Sequence, residues 1–405
     1  MSNILDYVVI GGGIAGLYSN YELSKKNLNG ILLEKESDFG GRSYEMKWHE
    51  HVIKLGAGIM AEHNKHLLKL LSKLKIKVNK FDSDVRTFFS YQFDMNLAIK
   101  KIKKTYKQEI NNIDGLTMRQ FLVKYFGKKF TDQFIENCEY RDFIESDPGY
   151  FINYYKIEDM SHDNYKVLII RWGELVEKLV LPNCKSNSPV LNVKKAGNHF
   201  IVKTENTEYI TKQIYFALTL KPLDKLIKKL VDIKYKEYIG TIPFVRIYSW
   251  HPKPYNLDML GHYNLVPGPL QKIIKMSPNL LMASYSDNKN AKYFKTLISK
   301  NKNSQIKNVE NLLEKTPLWT TCQNQKTELC ESKIDKIKLG KIEDVEIGYW
   351  DEGIHYYKPI IGMSLNELIK KLSKPAKNIF VIGEIISKKQ GWVEGAIESV
   401  DRVIN

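Results

Sequence analysis

Hydrophobic and polar positions follow two different periods at the start of the chain, and each period predicts one kind of element. Residues Asp6–Ile10 form a short, nearly continuous apolar run, which is typical of a buried strand. Apolar residues then recur at helical spacing over Ile14–Lys26, and Gly30–Glu34 is a second apolar run that ends in an acid. The pattern therefore predicts a strand, a helix and a second strand in succession.

The rest of the chain divides into helical and strand-rich stretches. Residues 95–145 carry apolar and aromatic positions at helical spacing, whereas residues 199–218 alternate with the period of two of a β-hairpin. A further strand is predicted over Thr241–Trp250. Near the end of the chain, Asn378–Ile382 is a predicted strand, and a helix opens after it at Gly391–Trp392. This mixture of elements predicts an α/β fold class.

Glycines occupy the turn between the first strand and the first helix. Gly11, Gly13 and Gly16 have the spacing that permits a tight turn, close approach of the backbone to a pyrophosphate, and close packing of helix on strand. Glu34 ends the second strand, where an acid accepts hydrogen bonds from ribose hydroxyls. Strand, glycines, helix, strand and acid in this order predict a dinucleotide-binding domain.

The charge and the apolar content exclude some classes of function. The net charge of +16 raises the hypothesis of nucleic-acid binding, but lysines far outnumber arginines and are dispersed along the chain, so we expect no nucleic-acid partner. No apolar run reaches the roughly 18 residues that a membrane span needs, and the N-terminus lacks a signal-peptide pattern. We therefore expect a soluble, cytoplasmic protein without a membrane anchor.

The four cysteines do not form a recognisable metal or disulfide framework. Cys138, Cys184, Cys322 and Cys330 are scattered, and the last two have neither CxxC spacing nor a neighbouring histidine. We expect reduced intracellular thiols and no metal.

Four further motifs resemble the flavin-containing amine oxidases, which include monoamine, polyamine and L-amino-acid oxidases. The motifs are the turn Gly40–Ser43, the turn Leu55–Met60, the GExxS run from Gly383, and the GWVEGAxxS run from Gly391. The resemblance covers residues 1–60, more weakly 165–250, and strongly 346–405. It implies an FAD-binding Rossmann-like domain of glutathione reductase type, interleaved with an α+β substrate domain.

The implied domain divisions follow from the extent of these motifs. The FAD-binding domain would comprise 1–80, 165–240 and 346–405. A helical part of the substrate domain would be 81–164, and its sheet and helices would be 241–345.

The resemblance also implies which residues contact FAD. Arg42 would add a fixed cation beside the pyrophosphate or flavin, Glu384 would bind the flavin ribityl chain or phosphate, and the helix that opens at Trp392 would direct its N–H groups at the flavin ring. The full implied set is Gly11, Gly13, Ile14, Ala15, Gly16, Glu34, Lys35, Gly41, Arg42, Gly56, Ala57, Gly58, Ile59, Val190, Gly383, Glu384, Trp392, Val393 and Ala396.

Aromatic residues in the last two motifs would form the substrate site. Trp392 matches one wall of the family's aromatic cage around the substrate amine, and Trp350 would pack beside the flavin. The opposite wall would come from His355, Tyr356 or Tyr357, among which Tyr357 is favoured. Because the segment 348–359 contains no cysteine, a covalent flavin thioether is excluded there, and FAD should be bound non-covalently.

One strand position departs from the family. Many of its oxidases carry a lysine on the strand corresponding to Thr241–Trp250, where it holds a water against flavin N5 and speeds the reaction with oxygen. In this chain Arg246 or Val245 falls at that position. Arginine keeps the charge in a planar fork, whereas valine removes it. The sequence therefore leaves the electron acceptor open, with O2 and release of hydrogen peroxide as the expected route.

The expected reaction is transfer of a hydride from a substrate C–N centre to flavin N5, giving an imine that hydrolyses. It requires no acid–base residue if the amine arrives neutral, because the chain's main task is to hold the carbon in position. Two alternatives stay open. One is a desaturase, oxidase or mutase of the same fold that acts on a non-amine, and the other is a non-catalytic FAD-binding protein.

Overall fold

The computed structural model describes residues 4–83, 85–89, 91–156, 165–253, 261–316 and 340–404. Its strands are β1 (Leu5–Ile10), β2 (Gly30–Leu33), β3 (Glu45–Trp48), β4 (His51–Lys54), β5 (Met60–Ala61), β6 (Asn79–Ser83), β7 (Val85–Thr87), β8 (Tyr165–Ile169), β9 (Cys184–Lys185), β10 (Asn192–Ala196), β11 (His199–Lys203), β12 (Glu208–Phe216), β13 (Ile239–Trp250), β14 (Tyr263–Leu265), β15 (Lys272–Lys275), β16 (Leu280–Asp287), β17 (Asp344–Tyr357) and β18 (Ile379–Val381). Its α-helices are α1 (Ile14–Lys25), α2 (Lys65–Lys73), α3 (Met95–Glu109), α4 (Met118–Asn137), α5 (Pro148–Tyr150), α6 (Trp172–Leu179), α7 (Leu220–Ile227), α8 (Tyr235–Tyr238), α9 (Asn288–Phe294), α10 (Lys302–Lys315), α11 (Leu365–Ser373) and α12 (Val393–Ile404).

Two compact units divide the chain. Unit 1 comprises Met1–Lys80, Val167–Thr241 and Ile354–Asn405, and unit 2 comprises Phe81–Lys166 and Ile242–Gly353. The units thus divide after residues 80, 166, 241 and 353, whereas the sequence-based divisions are placed after 80, 164, 240 and 345.

A largely parallel sheet forms the centre of unit 1. Its strand order is β10-β11-β12-β1-β2-β9, and β18 pairs with β12 beyond the end of β11. Strand β1 is parallel to both β2 and β12. The predicted β1-α1-β2 arrangement and the hairpin of β11 and β12 are confirmed. The parallel strands are buried because helices cover them, which explains why β1 and β2 are apolar runs without alternation.

The core of unit 1 packs helices α1, α2, α6 and α12 around this sheet. Leu17 of α1, Leu175 of α6 and Ile397 of α12 are each fully buried in one apolar cluster, together with Val9 and Leu32 from the sheet. Helices α2, α6 and α12 each bury one side, as expected for helices that cover a sheet.

Unit 2 combines a six-stranded sheet with helices. The sheet order is β17-β13-β16-β15-β14-β7, antiparallel along β13-β16-β15-β14 and parallel between β14 and β7. Helices α3 and α4 correspond to the helical pattern predicted over residues 95–145. A capping box between Thr117 and Gln120 begins α4, and Gly127 interrupts its helical backbone. Helices α9 and α10 supply Ala291, Val309 and other apolar side chains to a core on one face of the sheet.

Within the described residues, no helix is long and apolar enough to cross a membrane. Cys138 and Cys184 are free thiols, whereas Cys322 and Cys330 lie outside the described residues.

The close packing of α1 on its turn gives a first prediction. A methyl group added to Gly16 would overlap the carbonyl oxygen of Gly11, which is backbone and cannot rotate away. We expect Gly16→Ala to lower the free energy of unfolding by about 3 kcal/mol, measured by denaturant titration of both proteins. Gly13→Ala is the matched control, because no atom of the described residues lies within 4 Å of a Cβ at Gly13, and in the ligand-free proteins it should change stability by less than about 1 kcal/mol. Equal effects of the two substitutions would contradict this packing argument.

Candidate functional site

The turn between β1 and α1 leaves the start of α1 open. Gly11 has a φ of +107°, a conformation that favours glycine, and its N–H donates to the carbonyl of Leu33 at 2.9 Å. Helix α1 begins after Gly13 without a side-chain cap and without an acid in its first turn. Ile14 and Ala15 begin the helix and are buried. The first turn therefore has N–H groups and positive dipole available to an anion.

A second glycine turn packs against the first. The N–H of Gly40 donates to the carbonyl of Gly12 at 2.9 Å. A Cβ at Gly41 would lie 3.3 Å from the Cα of Gly13, so two backbone segments approach each other closely here. Both Gly40 and Gly41 have positive φ values, of 109° and 54°. The predicted turns at 11–16 and 40–43 thus lie side by side.

The turn at 56–59 rests on the backbone of Arg42. The N–H of Ala57 donates to the Arg42 carbonyl at 2.8 Å, and a side chain at Gly56 would overlap the same carbonyl. The Gly58 carbonyl accepts a hydrogen bond from Lys54 Nζ at 3.2 Å, and Ile59 is partly exposed. Three predicted glycine turns are therefore held together in unit 1.

Glu34 at the end of β2 organises the neighbouring backbone. Its Oε2 accepts from Gly12 N at 2.5 Å and its Oε1 from Glu36 N at 2.9 Å. Its carbonyl accepts from Ser188 N at 2.7 Å, which brings the segment leading to the partly exposed Val190 alongside. Each carboxylate oxygen of Glu34 retains a second lone pair for a further donor. Lys35 is different, because its side chain is 70% exposed and pairs with Glu36.

The carboxylate of Glu384 joins three parts of unit 1 that are distant in sequence. Arg42 Nη2 lies 2.9 Å from Oε2, and His355 Nδ1 lies 2.6 Å from the same oxygen. The backbone N–H groups of His355 and Gly391 donate to Oε1 at 3.0 and 2.6 Å. Glu384 was a sequence-predicted residue, whereas its contact with His355 was not predicted.

These contacts decide the charge of Glu384. Burial alone would raise its pKa, but His355, the guanidinium of Arg42 and the backbone N–H groups together hold that pKa well below its usual range. The N–H of Leu220 donates to His355 Nε2 at 3.3 Å. Because Nε2 is an acceptor, Nδ1 carries the proton and donates to Glu384. The ionised carboxylate is therefore paired with Arg42 and accepts a hydrogen bond from His355 Nδ1.

The start of α12 lies beside this carboxylate. Gly391 has a φ of +80°, and Trp392 and Val393, at the start of the helix, are both partly exposed. Ala396 lies one turn further along and is buried. Gly383, with a φ of +114°, donates its N–H to Ser399 Oγ of α12 at 2.7 Å. A Cβ at Gly383 would be 3.8 Å from Ala15 of α1, so Gly383 lies between the start of α1 and the middle of α12.

The prediction for Tyr357 is not supported by its position. Its ring is 0% exposed, so it offers no face to a substrate. Burial raises the pKa of Tyr357 well above its usual value, and the charge of Arg402 opposes that effect. Its neighbour His355 is engaged by Glu384. Among the three alternatives left open by the sequence, Tyr356 is the one that is partly exposed.

The position on β13 where many of the oxidases that this chain resembles carry a lysine lies in unit 2. Val245 belongs to the apolar core between the sheet and α9 and α10. Arg246 is 4% exposed, and its guanidinium carbon lies 4.4 Å from the centroid of the Tyr285 ring. Of the two residues, Arg246 is thus the one that carries charge on the face away from that core. Trp350 on β17 is partly exposed, and its ring centroid lies 6.4 Å from that of Phe244.

Lys272 adds a second buried cation to the same face of unit 2. Its Nζ lies 4.7 Å from the Tyr285 ring centroid and 4.0 Å from that of Tyr140. Burial lowers the pKa of Lys272, and Glu139 Oε2, 3.5 Å from Nζ, opposes that effect. Lys272 was not predicted from the sequence, because a lysine at the start of a short strand carries no motif.

Known proteins resemble the chain in sequence. The NAD(P)-binding Rossmann-like domain family matches residues 9–74. The flavin-containing amine oxidase B of Bos taurus is 33% identical over 316 residues, which cover 64% of this chain and 60% of that protein. The chain therefore spans less than two thirds of the length of this relative.

Two solved structures share the fold over nearly the whole chain. Putrescine oxidase bound to putrescine has a TM-score of 0.74 at 13% identity, covering 100% of this chain and 99% of the other. Cyclohexylamine oxidase from Brevibacterium oxydans has a TM-score of 0.75 at 11% identity, covering 99% and 98%. These matches confirm the predicted two-domain α/β fold.

Glu384 and its partners Arg42, His355 and Gly391 form the Glu384 cluster. This cluster should make the stability of the protein depend on pH. Because the folded state lowers the pKa of Glu384, its charge stabilises the protein above the ordinary glutamate pKa of about 4.3, and this contribution is lost as the pH falls further. We expect Glu384→Gln to lower the free energy of unfolding by about 2 kcal/mol at pH 7. The difference from wild type should shrink below about pH 4.5, by at most about 1.4 kcal/mol per pH unit.

Urea titrations of both proteins between pH 3.5 and 8 measure this difference. Glu177→Gln is a suitable control, since that carboxylate is exposed on α6. A Glu384→Gln deficit that stays constant down to pH 3.5 would contradict the assigned charge.

Proposed function

Because the chain belongs to the flavin-containing amine oxidase family, we propose that it is an FAD-dependent oxidoreductase that oxidises a C–N bond of a small amine. The observation that carries this proposal is the Glu384 cluster. Glu384 connects Arg42, beside the glycine turns, with Gly391, at the start of α12. A single buried carboxylate thereby connects the two halves of the proposed cofactor site within unit 1. These halves lie at opposite ends of the sequence.

The residues of unit 1 fit FAD. The uncapped start of α1 offers N–H groups to a pyrophosphate, and the open space beside Gly13 is a cradle that a side chain would fill. Glu34 lies at the end of β2, where its remaining lone pairs suit ribose hydroxyls. Ala57, Val190 and the helix start at Val393 complete the proposed binding residues. No cysteine lies between 348 and 359, so the proposed binding is non-covalent.

In the proposed reaction, the chain positions the substrate and transfers no proton. When bound, FAD supplies a two-electron acceptor for the hydride lost from the substrate α-carbon. Trp392 is proposed as an aromatic wall for the substrate, since its ring is partly exposed at the start of α12. Tyr357 is left out because its ring is fully buried. Trp350 remains a proposed site residue of unit 2.

The acceptor for the next step is proposed to be O2. Arg246 keeps a positive charge at the strand position where the family's oxidases carry lysine, and its guanidinium is held against Tyr285. The intracellular setting proposed here follows from the free thiols of Cys138 and Cys184.

The proposed activity is tested by anaerobic reduction of the bound flavin. We expect cyclohexylamine or 1-butylamine to bleach the absorbance of the oxidised flavin, whereas cyclohexanol and 1-butanol, which match them in shape, should leave it unchanged. Reduction by a non-amine with no response to any amine would instead favour the desaturase, oxidase or mutase alternative. A flavin that no compound reduces would favour the non-catalytic one.

Cofactor binding is tested separately at Gly13. Alanine there fills the proposed cradle without touching other atoms of the described residues, so we expect Gly13→Ala to weaken FAD binding at least about tenfold while leaving the fold intact. Fluorescence of released flavin measures the dissociation constant. Gly340→Ala is the control, because among the described residues a Cβ there meets only Lys253 O, at 3.8 Å. Unchanged affinity in Gly13→Ala would remove Gly13 from the proposed site.

A further inference from the structure

One side of helix α3, in unit 2, carries lysines and no acid. Its exposed positions recur at helical spacing, and the lysines among them are Lys100, Lys101, Lys104 and Lys107. Leu97, on the same side of the helix, is 47% exposed. Neither Asp nor Glu occurs between Met95 and Gln108. We call Leu97 and these lysines the basic face of α3.

The opposite side of α3 fixes the helix within unit 2. Its buried side chains are Met95, Ala98, Ile99 and Ile102. The Tyr106 ring meets the Phe121 ring of α4 edge to face, with the two centroids 6.4 Å apart. The Asp94 side chain caps the helix start by accepting from the N–H of Leu97 at 2.8 Å. The basic face thus belongs to a helix that is already folded, so a partner binds without the cost of ordering a segment.

The acid that ends α3 does not neutralise the basic face. Glu109 Oε2 accepts hydrogen bonds from Tyr125 Oη at 3.2 Å and from Asn112 Nδ2 at 3.0 Å. Among the described residues, the lysines of the basic face form no ion pair. Because an α-helix rises 1.5 Å per residue, their positive charges extend over about 10 Å of one side of α3.

We propose that the basic face of α3 binds the surface of a membrane that contains anionic lipids. Clusters of about four to eight lysines on a helix are attracted to the charged headgroups of such lipids. Leu97 lies among the lysines, where an apolar side chain can enter the boundary between headgroups and acyl chains. The binding is peripheral and requires no membrane-spanning helix.

The composition of the basic face favours lipid over nucleic acid. The face contains no arginine, the residue that binds phosphates through two hydrogen bonds at once. It also contains no aromatic ring on which a base could stack. An exposed leucine between lysines has no counterpart in the phosphate backbone of a nucleic acid, whereas the lipid surface offers it an apolar layer.

Sedimentation with lipid vesicles tests the inference on the full-length protein. The vesicles contain phosphatidylcholine alone, or phosphatidylcholine and phosphatidylserine at a ratio of about 2:1. We expect the wild type to bind the anionic vesicles at least about tenfold more tightly than the neutral ones. This difference should shrink as the salt concentration rises from about 0.05 M to about 0.3 M, because salt screens the lysines. Equal affinity for the two kinds of vesicle, or binding to neither, would overturn the inference.

Substitution of the lysines by glutamine removes their charge and keeps a similar helix propensity. The first variant combines Lys100→Gln, Lys101→Gln, Lys104→Gln and Lys107→Gln. We expect its affinity for the anionic vesicles to fall at least about 100-fold. The control variant has the same net charge but replaces exposed lysines of unit 1, namely Lys194→Gln, Lys195→Gln, Lys225→Gln and Lys228→Gln. It should bind within about threefold of the wild type. Equal losses in the two variants would show that net charge, and not the basic face, is responsible.

Two further measurements address the apolar contact and the alternative partner. Leu97→Gln should weaken binding to the anionic vesicles about fivefold without changing its salt dependence, and unchanged affinity would remove Leu97 from the contact. If the wild type binds double-stranded DNA but not vesicles, and the first variant loses the DNA, the partner is a nucleic acid and the lipid assignment is wrong. Thermal unfolding of each variant excludes loss of structure as the cause. Because none of these measurements uses flavin reduction, their failure would leave the proposed amine oxidation standing.

Discussion

The buried carboxylate of Glu384 is the constraint on which the organisation of unit 1 depends. An ionised carboxylate removed from water is strongly destabilising unless its lone pairs are satisfied. Here Arg42, His355 and the N–H of Gly391 satisfy them together. These partners come from three distant places in the sequence, so the compensation is complete only when the glycine turns, the end of β17 and the start of α12 have assembled. The charge of Glu384 is therefore compensated in the same step that brings together the residues of the proposed cofactor site.

The same carboxylate explains why the glycine turns are arranged as they are. Arg42 reaches Glu384 from a backbone that also accepts a hydrogen bond from Ala57, so its position is fixed from both ends. Gly16 and Gly56 have no room for a side chain because backbone carbonyls approach them. A side chain would fit at Gly13 among the described residues, so packing does not require glycine there. Glycines of the first kind maintain the fold, whereas the open space at Gly13 belongs to the proposed ligand.

The sequence was sufficient to predict the fold because its signals are local. Apolar runs at β1 and β2, helical spacing in α1 and the glycines between them are each readable over a few residues. The partner of Glu384 was not readable in this way. His355 and Tyr357 lie two residues apart on β17, so their side chains share one face, and the sequence does not say that this face is enclosed. The family resemblance favoured Tyr357 among three residues as a cage wall, but only contacts from distant segments show that the ring is buried.

Strand β13 shows the same limit in unit 2. Its residues from Ile242 to Ser249 are all buried, so alternation cannot reveal which face carries the apolar core. Packing places Val245 in that core and Arg246 against Tyr285. Lys272, from β15, then approaches the same tyrosine ring. Comparison of position 246 with the lysine of the oxidases that this chain resembles shows only a change from lysine to arginine. The structure adds a cation from another strand, so the electrostatics of this face depend on residues that no motif at position 246 describes.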